Sequence, residues 1–369
     1  MPVRCEIVNR RLRPSADFEL VAFDRLSPEQ LRILHPLPED PGQYGVLIPK
    51  QGLWLGAKAV SHDAARILLD VSRAIDAPPA EVIKWVMDGI LEIEIDGTFV
   101  SGPAAYGVLR NGSPQPAPPQ DRIARISAAA LVYAESLPVR DARWLSRRLY
   151  SYNALPSTPR KKYTERSAVD PEERSESATF LFEHYQAIPN GAWESWALRV
   201  CIDELNGIHF PYKLYVSPYP EDLLRTFGSI VRVFAGNRVV LFKAGKSGEG
   251  LLRPDKLVAY FSGFDQLTRV AEQLRLPMQN LRPHGVPFTK AFTSDGLLSW
   301  GMDPPIRQPL PGFHIESWRS WVCAKLAVAI THARQRPAEG VSPAAFALDR
   351  LELEGVDPAT WAPSVSTWS

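Results

Sequence analysis

Cysteine is scarce. The chain of 369 residues has three, Cys5, Cys201 and Cys323, far apart and with no CxxC pair. That spacing excludes a disulfide framework and a cysteine-based zinc site, and it fits a reducing compartment. Long apolar runs are missing too: there is no stretch of about 18 apolar residues, the length a membrane helix requires. The amino terminus, MPVRCEIVNRRLRPS, lacks an apolar signal core. The expectation is a cytoplasmic protein without a membrane partner. Net charge is the third scarcity. Lys and Arg number 42 against 41 Asp and Glu, a formal +1, so no broad basic field exists to hold nucleic acid. Any anion site must be local.

Several motifs are absent as well. The seven histidines (His35, His62, His184, His209, His284, His314, His332) show neither HExxH nor HxH spacing, and no metal site is expected. Gly245-Lys246-Ser247 imitates the end of a phosphate-binding P-loop. That motif needs a glycine five positions earlier, where the chain has Val240. No serine or cysteine sits in a nucleophile elbow. No cofactor is expected.

What is present is ordinary globular composition, 45% hydrophobic and 22% charged, with 34 prolines that break the chain into short elements. The length allows two or three domains. The clearest linker is Ser113–Gln120, SPQPAPPQ. Before it, YGVLIPKQGLWLGAKAV reads as two strands around a turn at Lys50-Gln51-Gly52, and Ser61 is placed to cap the helix HDAARILLDVSRAI. Pro78-Pro79 opens a second helix, AEVIKWVMDGI. LEIEIDGTFVSG then reads as a hairpin turning at Asp96-Gly97. That order predicts a winged-helix-like module over residues 1–112.

After the linker, DRIARISAAALVYAESL and DARWLSRRLYSYN read as helices, and residues 158–177 as a charged surface loop. WESWALRVCID, YKLYVSPY, GNRVVLFKAG and KLVAYFSG read as strands. FDQLTRVAEQLRL and IESWRSWVCAKLAVAITHARQ read as helices. The predicted class is α+β: the winged-helix-like module, then residues 121–335 with an antiparallel sheet and helices on one side, then a tail over 336–369.

Within this second region, basic side chains interrupt apolar runs: Lys213-Leu-Tyr215, Lys243 in VVLFKAG, Arg253-Pro-Asp-Lys256 ahead of LVAYF, Lys290 in VPFTKAF, and Arg319. A charge in a strand-like apolar run is costly unless it points outward or is paired. No acidic run offers a common partner. The economical reading is that these cations converge on an anion, most simply a phosphate. The plain alternatives are that Lys213 and Lys243 snorkel from amphipathic strands and that Arg253-Pro-Asp255 is a structural ion pair. Asp303-Pro-Pro305 likewise reads first as a rigid turn. The cluster Arg140, Arg143, Arg147, Arg148 with Arg160-Lys161-Lys162 is either a solvated face or a surface that steers an acidic partner.

The order of these segments resembles a known family. RPDKLVAYFSGFDQLTRVAEQL, then VPFTKAFTSDGLLSWGMDPP, then SWRSWVCAKLAVAI is similar to the core of the HopA-type effector family, over roughly residues 120–335. Members occur as plant-pathogen effectors and as partner proteins in class V lanthipeptide and thioamitide biosynthesis. The resemblance implies an enzyme that eliminates phosphate from phosphoserine or phosphothreonine of a ribosomal precursor peptide. Dehydroalanine or dehydrobutyrine results, and a separate kinase supplies the substrate. A looser similarity to phosphothreonine lyases places Lys213-x-Tyr215 on their Lys-x-His motif. It also places Lys243, thirty positions on, as the base, Arg253 as the phosphate ligand, and Tyr260 after it. The acid histidine is replaced by Tyr215.

The chemistry asks for these residue types. Lysine acts as a base only when neutral, and burial and neighbouring cations both favour its neutral form. Lys243 has that setting in sequence. Arg253 offers a planar fork to two phosphate oxygens, with Lys256, Tyr260, Lys290 and Arg319 as further substrate-binding candidates. Lys213 or Lys290 is a candidate to stabilise the substrate oxyanion, and Tyr215 to donate a proton. The amino-terminal module resembles leader-peptide-binding elements that add a strand to a sheet edge; the alternative is a structural cap. The rival to an enzyme is a non-catalytic HopA-type effector or scaffold that holds a phosphopeptide or the kinase. Tyr215 is the feature that favours it.

Overall fold

The computed structural model describes residues 11–30, 42–50, 58–69, 80–110, 119–156, 176–190, 193–304 and 317–363. The amino-terminal part begins with strands β1 (Leu12–Pro14), β2 (Phe18–Ala22), β3 (Gln43–Pro49) and β4 (Lys58–Ser61). Helices α1 (His62–Leu69) and α2 (Ala80–Met87), strands β5 (Leu91–Ile95) and β6 (Thr98–Val100), and helix α3 (Pro103–Arg110) follow. Two three-stranded sheets form, β1-β5-β6 and β2-β3-β4. Ser61 Oγ accepts from the Ala64 amide at 3.1 Å, as its place before α1 predicts. The Asp96-Gly97 turn has φ of 49° and 78°, the paired positive values that a tight hairpin needs. The Lys50-Gln51-Gly52 turn beyond Lys50, Pro78-Pro79, the linker up to Pro118, residues 157–175 with Arg160-Lys161-Lys162, Cys5 and Pro305 lie outside the described residues.

Helices α4 (Arg122–Ser136) and α5 (Ala142–Tyr150) come next, capped by Asp121 and Asp141, whose carboxylates accept from Ala124 and Trp144 amides. After them come α6 (Glu176–His184), β7 (Tyr185–Asn190), β8 (Trp193–Leu198) and β9 (Tyr212–Val216). The next elements are α7 (Pro220–Gly236), β10 (Leu241–Gly245), α8 (Ser247–Leu251), β11 (Leu257–Phe261) and α9 (Phe264–Leu274). The chain then forms β12 (Lys290–Ala291), β13 (Leu298–Met302), α10 (Trp318–Gln335) and α11 (Pro343–Glu352). The last seven strands make one sheet in the order β12-β13-β9-β11-β10-β8-β7, and every adjacent pair is antiparallel. The fold is α+β.

Alternation divides this sheet into two faces. Leu214, Val216, Phe242, Ala244, Leu257, Ala259 and Phe261 pack in one apolar cluster with Phe227, Ile230 and Phe234 of α7 and Val270 and Leu274 of α9. The other face carries Lys213, Tyr215, Lys243, Val258 and Tyr260. Helices do not lie on one side only, as the sequence pattern predicts. Gly301 of β13 receives Trp318 of α10 on this second face; a Cβ there would lie 2.6 Å from the indole ring. The missing side chain lets α10 approach and brings Arg319 with it.

The segment 336–369, read as a tail, contains α11, whose Phe346 and Leu351 are buried, and Trp361, which packs edge-on against Phe288. The reason is apolar spacing on a short helix that a tail does not need. One continuous core joins Val82, Trp85 and Ile93 of the amino-terminal part to Trp321, Leu326 and Ile330 of α10 and Phe346 of α11. Ion pairs cross the same boundary. Arg350 donates to both carboxylate oxygens of Asp88 at 2.6 and 2.7 Å, and Glu354 holds Lys325 at 2.9 Å and Lys84 at 3.5 Å. Among the described residues, no helix is long and apolar enough to cross a membrane.

Candidate active site

The second sheet face explains why charges interrupt apolar strands: beside a small apolar cluster of Tyr215, Val258 and Val286, the lysines there meet aromatic rings and carboxylates. Tyr260 sits directly opposite Lys213 in the β9–β11 pair, and Lys243 lies opposite Val258, two residues along β11 and so on the same face. The Tyr260 ring therefore lies between two lysines, with Lys213 Nζ 5.6 Å and Lys243 Nζ 5.9 Å from its centroid. Lys243 Nζ also lies 4.3 Å from the Trp193 ring centre, and the Arg253 guanidinium lies 4.9 Å from the same ring. Arg253 and Arg319 in turn flank the Tyr150 ring at 5.3 and 4.6 Å. The row reads Lys213, Tyr260, Lys243, Trp193, Arg253, Tyr150, Arg319, with each ring between two cations. Such contacts stabilise a cation by about 0.5–2 kcal/mol.

Carboxylates from outside the strands neutralise part of this charge. Lys213, buried, donates to both oxygens of Asp303 at 2.6 and 2.7 Å. Asp303 also accepts from the Trp318 amide at 3.1 Å, fixing it to the start of α10. Asp255 takes two arginines: Arg253 Nε and Nη2 at 2.9 Å each, and Arg319 Nη1 at 2.8 Å. Burial alone would raise the Asp255 carboxyl; Arg319 and then Arg253 hold it well below the usual carboxylate range instead. The Tyr150 hydroxyl donates to Asp255 at 3.2 Å and accepts from Arg253 at 3.0 Å. Burial and Asp255 push that hydroxyl up to about 12. Lys213, Arg253 and Arg319 against Asp255 and Asp303 leave an excess of one positive charge, suited to an anion, and Lys243 adds a second only when protonated.

Not every expected residue is open to a ligand. Arg319 is fully buried, and its Nε and Nη2 donate to the carbonyls of Pro287 at 3.2 Å and Tyr150 at 2.9 Å. It supports Asp255 and Tyr150 rather than reaching a ligand. Lys256 is also fully buried. Its Nζ meets His284 Nδ1 at 2.7 Å, and burial pulls the amine down to about 7. His284 Nε2 donates to the Asn153 carbonyl at 2.6 Å, so Nδ1 is the acceptor from Lys256. Burial, then Lys256, pull His284 down to about 3. As a phosphate ligand Lys256 is thus corrected: it lies beneath the site, in a closed pair.

Lys290 is corrected by register. It pairs with Trp300, which packs in the apolar cluster of the first face, while Thr289 next to it hydrogen-bonds Ser299 on the second. Lys290 is therefore on the face away from Lys213 and Lys243. Tyr215 is buried beside Val258 and Val286, and burial pushes its hydroxyl well above the ordinary tyrosine value. A proton held that firmly does not suit the acid role. Arg140, Arg143, Arg147 and Arg148 are exposed at or near the start and on the outer side of α5.

Lys213, Lys243, Arg253 and Tyr260 are the expected residues that come together. Tyr150, Trp193, Asp255 and Asp303 complete the row. Asp255 and Asp303 were within reach of sequence reasoning, since both stand beside a proline in the segments that carry the family resemblance. Tyr150 and Trp193 carried no sequence signal, because each ends or begins an element whose partner is remote in the chain.

No family model and no curated protein matches this chain. Among solved structures, an effector protein from Pseudomonas syringae pv. tomato aligns at 13% identity over 66% of this chain and 98% of its own, TM-score 0.39. The type III effector and phosphothreonine lyase OspF from Shigella flexneri aligns at 10% identity over 39% of this chain and 85% of its own, TM-score 0.27. The phosphothreonine lyase effector VirA (SpvC) from Chromobacterium violaceum aligns at 10% identity over 47% and 82%, TM-score 0.25. No score reaches 0.5, so these likenesses decide neither fold nor chemistry; both stand on the residues of this chain.

Proposed function

We propose that this protein is a phosphoserine/phosphothreonine lyase acting on a phosphorylated peptide. The observation that carries the reading is the row of cations on one sheet face, with Lys243 and Arg253 sharing the Trp193 ring. Arg253 is the phosphate arm. Its side chain is 34% exposed, and Asp255 and Tyr150 hold its guanidinium in place. Lys243 takes the Cα proton of the phosphoresidue. The electron pair of that C–H bond forms the Cα–Cβ double bond as the Cβ–O bond breaks, and phosphate leaves with the C–O pair. An ammonium has three N–H groups and Asp303 engages at most two from Lys213, so one remains for the substrate carbonyl as negative charge grows on it.

By the same reading, the substrate is a ribosomal precursor peptide phosphorylated by a separate kinase, and the amino-terminal region captures its leader at a sheet edge. The shared core makes deletion of that region a poor test. An unphosphorylated leader peptide added in trans should instead inhibit elimination from the full-length precursor and leave a short phosphorylated core unaffected. Equal inhibition of both, or none, would remove the capture role.

The decisive measurement is mass spectrometry of a phosphothreonine peptide incubated with the protein. Elimination leaves the product one water lighter than the unphosphorylated peptide, whereas hydrolysis returns the unphosphorylated mass. The burial of Tyr215 favours a second reading, a binding protein for phosphopeptides without chemistry. A peptide that binds and keeps its mass would select it.

A further inference from the structure

We infer that Trp193 is a positioning residue that fixes the separation of Lys243 from Arg253, so that proton removal and phosphate capture fall on one substrate residue. This rests on the lyase reading above. The two events have a fixed geometry: in a phosphoserine, Cα and phosphorus are separated only by Cβ and one oxygen. Base and clamp must therefore stand at one distance, although protonated lysine and arginine repel each other. A ring face that attracts both cations holds them without neutralising either. Trp193 touches both groups, at 4.3 and 4.9 Å from its centre.

The backbone is built for that placement. Trp193 opens β8 and lies directly opposite Gly245 in β10, while Ser195 lies opposite Lys243. Trp193 and Lys243 are thus on the same face, and the position across from the indole has no side chain to displace it. Gly245 cannot gain one cheaply, since a Cβ there would lie 2.3 Å from the Gly250 carbonyl carbon. Lys243 is tethered on its other side by Tyr260, and Arg253 by Tyr150 and Asp255. Trp193 is the link that ties these two halves of the row together.

The test is the pH dependence of kcat on a phosphothreonine peptide for wild type, Trp193→Leu and Trp193→Phe. It is joined to an NMR titration of Lys243 after reductive 13C-methylation, assigned with Lys243→Arg. Leucine should lower the limiting kcat about tenfold through lost alignment, with a smaller change in KM. Losing the ring also destabilises the ammonium, so the acid limb and the Lys243 titration should both move down by about half a pH unit. Phenylalanine should recover most of both. A merely structural tryptophan would lower kcat and leave both titrations in place, and that result overturns the inference. Phenylalanine behaving no better than leucine overturns it too. If wild type proves not to eliminate phosphate, the lyase reading fails by itself. The NMR titration then still decides whether Trp193 governs Lys243. Should Trp193→Leu lose its circular dichroism signature, the phenylalanine variant alone must show a smaller shift of the same sign; no shift refutes the role.

Discussion

The two faces of one seven-stranded sheet are made from the same strands and serve opposite ends. Phe242 and Lys243 are neighbours in β10, yet one is enclosed by α7 while the other lies between the rings of Trp193 and Tyr260. On the first face each buried apolar side chain contributes about 1.5–3 kcal/mol. On the second, Lys213, Asp255, Lys256 and Arg319 are buried, where an ion stripped of its partner costs about 3–5 kcal/mol. One face stabilises, and its surplus allows the other to concentrate charge. The division teaches where a substitution should act on chemistry and where on stability.

The largest expected effect lies on the charged face. Lys243→Ala should cut elimination by about a thousandfold, within the range for loss of a general base, while phosphopeptide binding and urea unfolding stay close to wild type. Lys243→Arg should not rescue, because a guanidinium stays protonated. Wild-type rates from the arginine variant would end the base assignment.

One residue away, Phe242→Ala should destabilise the fold by about 3–5 kcal/mol in denaturant unfolding. If Lys243→Ala unfolds the protein as readily, the division between the faces collapses. Arg253→Lys should come next in size. Asp255 and Tyr150 hold Nε and Nη2, so the change replaces an anchored guanidinium, which offers Nη1 to the phosphate, by an unanchored point charge. It should weaken phosphopeptide binding about ten- to a hundredfold, or about 1.5–3 kcal/mol. Titration calorimetry against the unphosphorylated twin measures it, and an unchanged preference would place the anion elsewhere.

The comparison is sharpened last through pH, where the change is smallest at each step although it accumulates across the window. Burial lowers Lys256 from 10.5 to about 7 in the folded protein. Between these values the unfolded chain binds the extra proton, so this lysine makes stability rise with pH, by up to about 1.4 kcal/mol per unit. Below about 7 both states are protonated and the contribution is flat; above 10.5 it is flat again. Lys256→Met should remove that slope from the difference between variant and wild-type stability curves. Parallel curves across this window would mean that the amine is charged and paired when folded.

The sequence by itself determined the local elements and the kinds of side chain available. Ser61, Asp121, Asp141 and Asp96-Gly97 act through near neighbours, so capping and turn chemistry reveal them without any partner. Helix α7 is weakly marked in the sequence, since PEDLLRTFGSIVRVFAG mixes β-branched residues and glycine into a helical face. The same local view found lysines and arginines in apolar strands but not what they touch. Whether Lys290 joined Lys213 depended on strand register, in which one step reverses the face. Whether Arg319 and Lys256 reached a ligand depended on how deeply α10 and the His284 segment cover them. The pairing of Asp303 with Lys213, and of Trp193 with Lys243 and Arg253, joins positions far apart in the chain. Only tertiary structure decided those, because register and close approach such as that at Gly301 are properties of two segments at once.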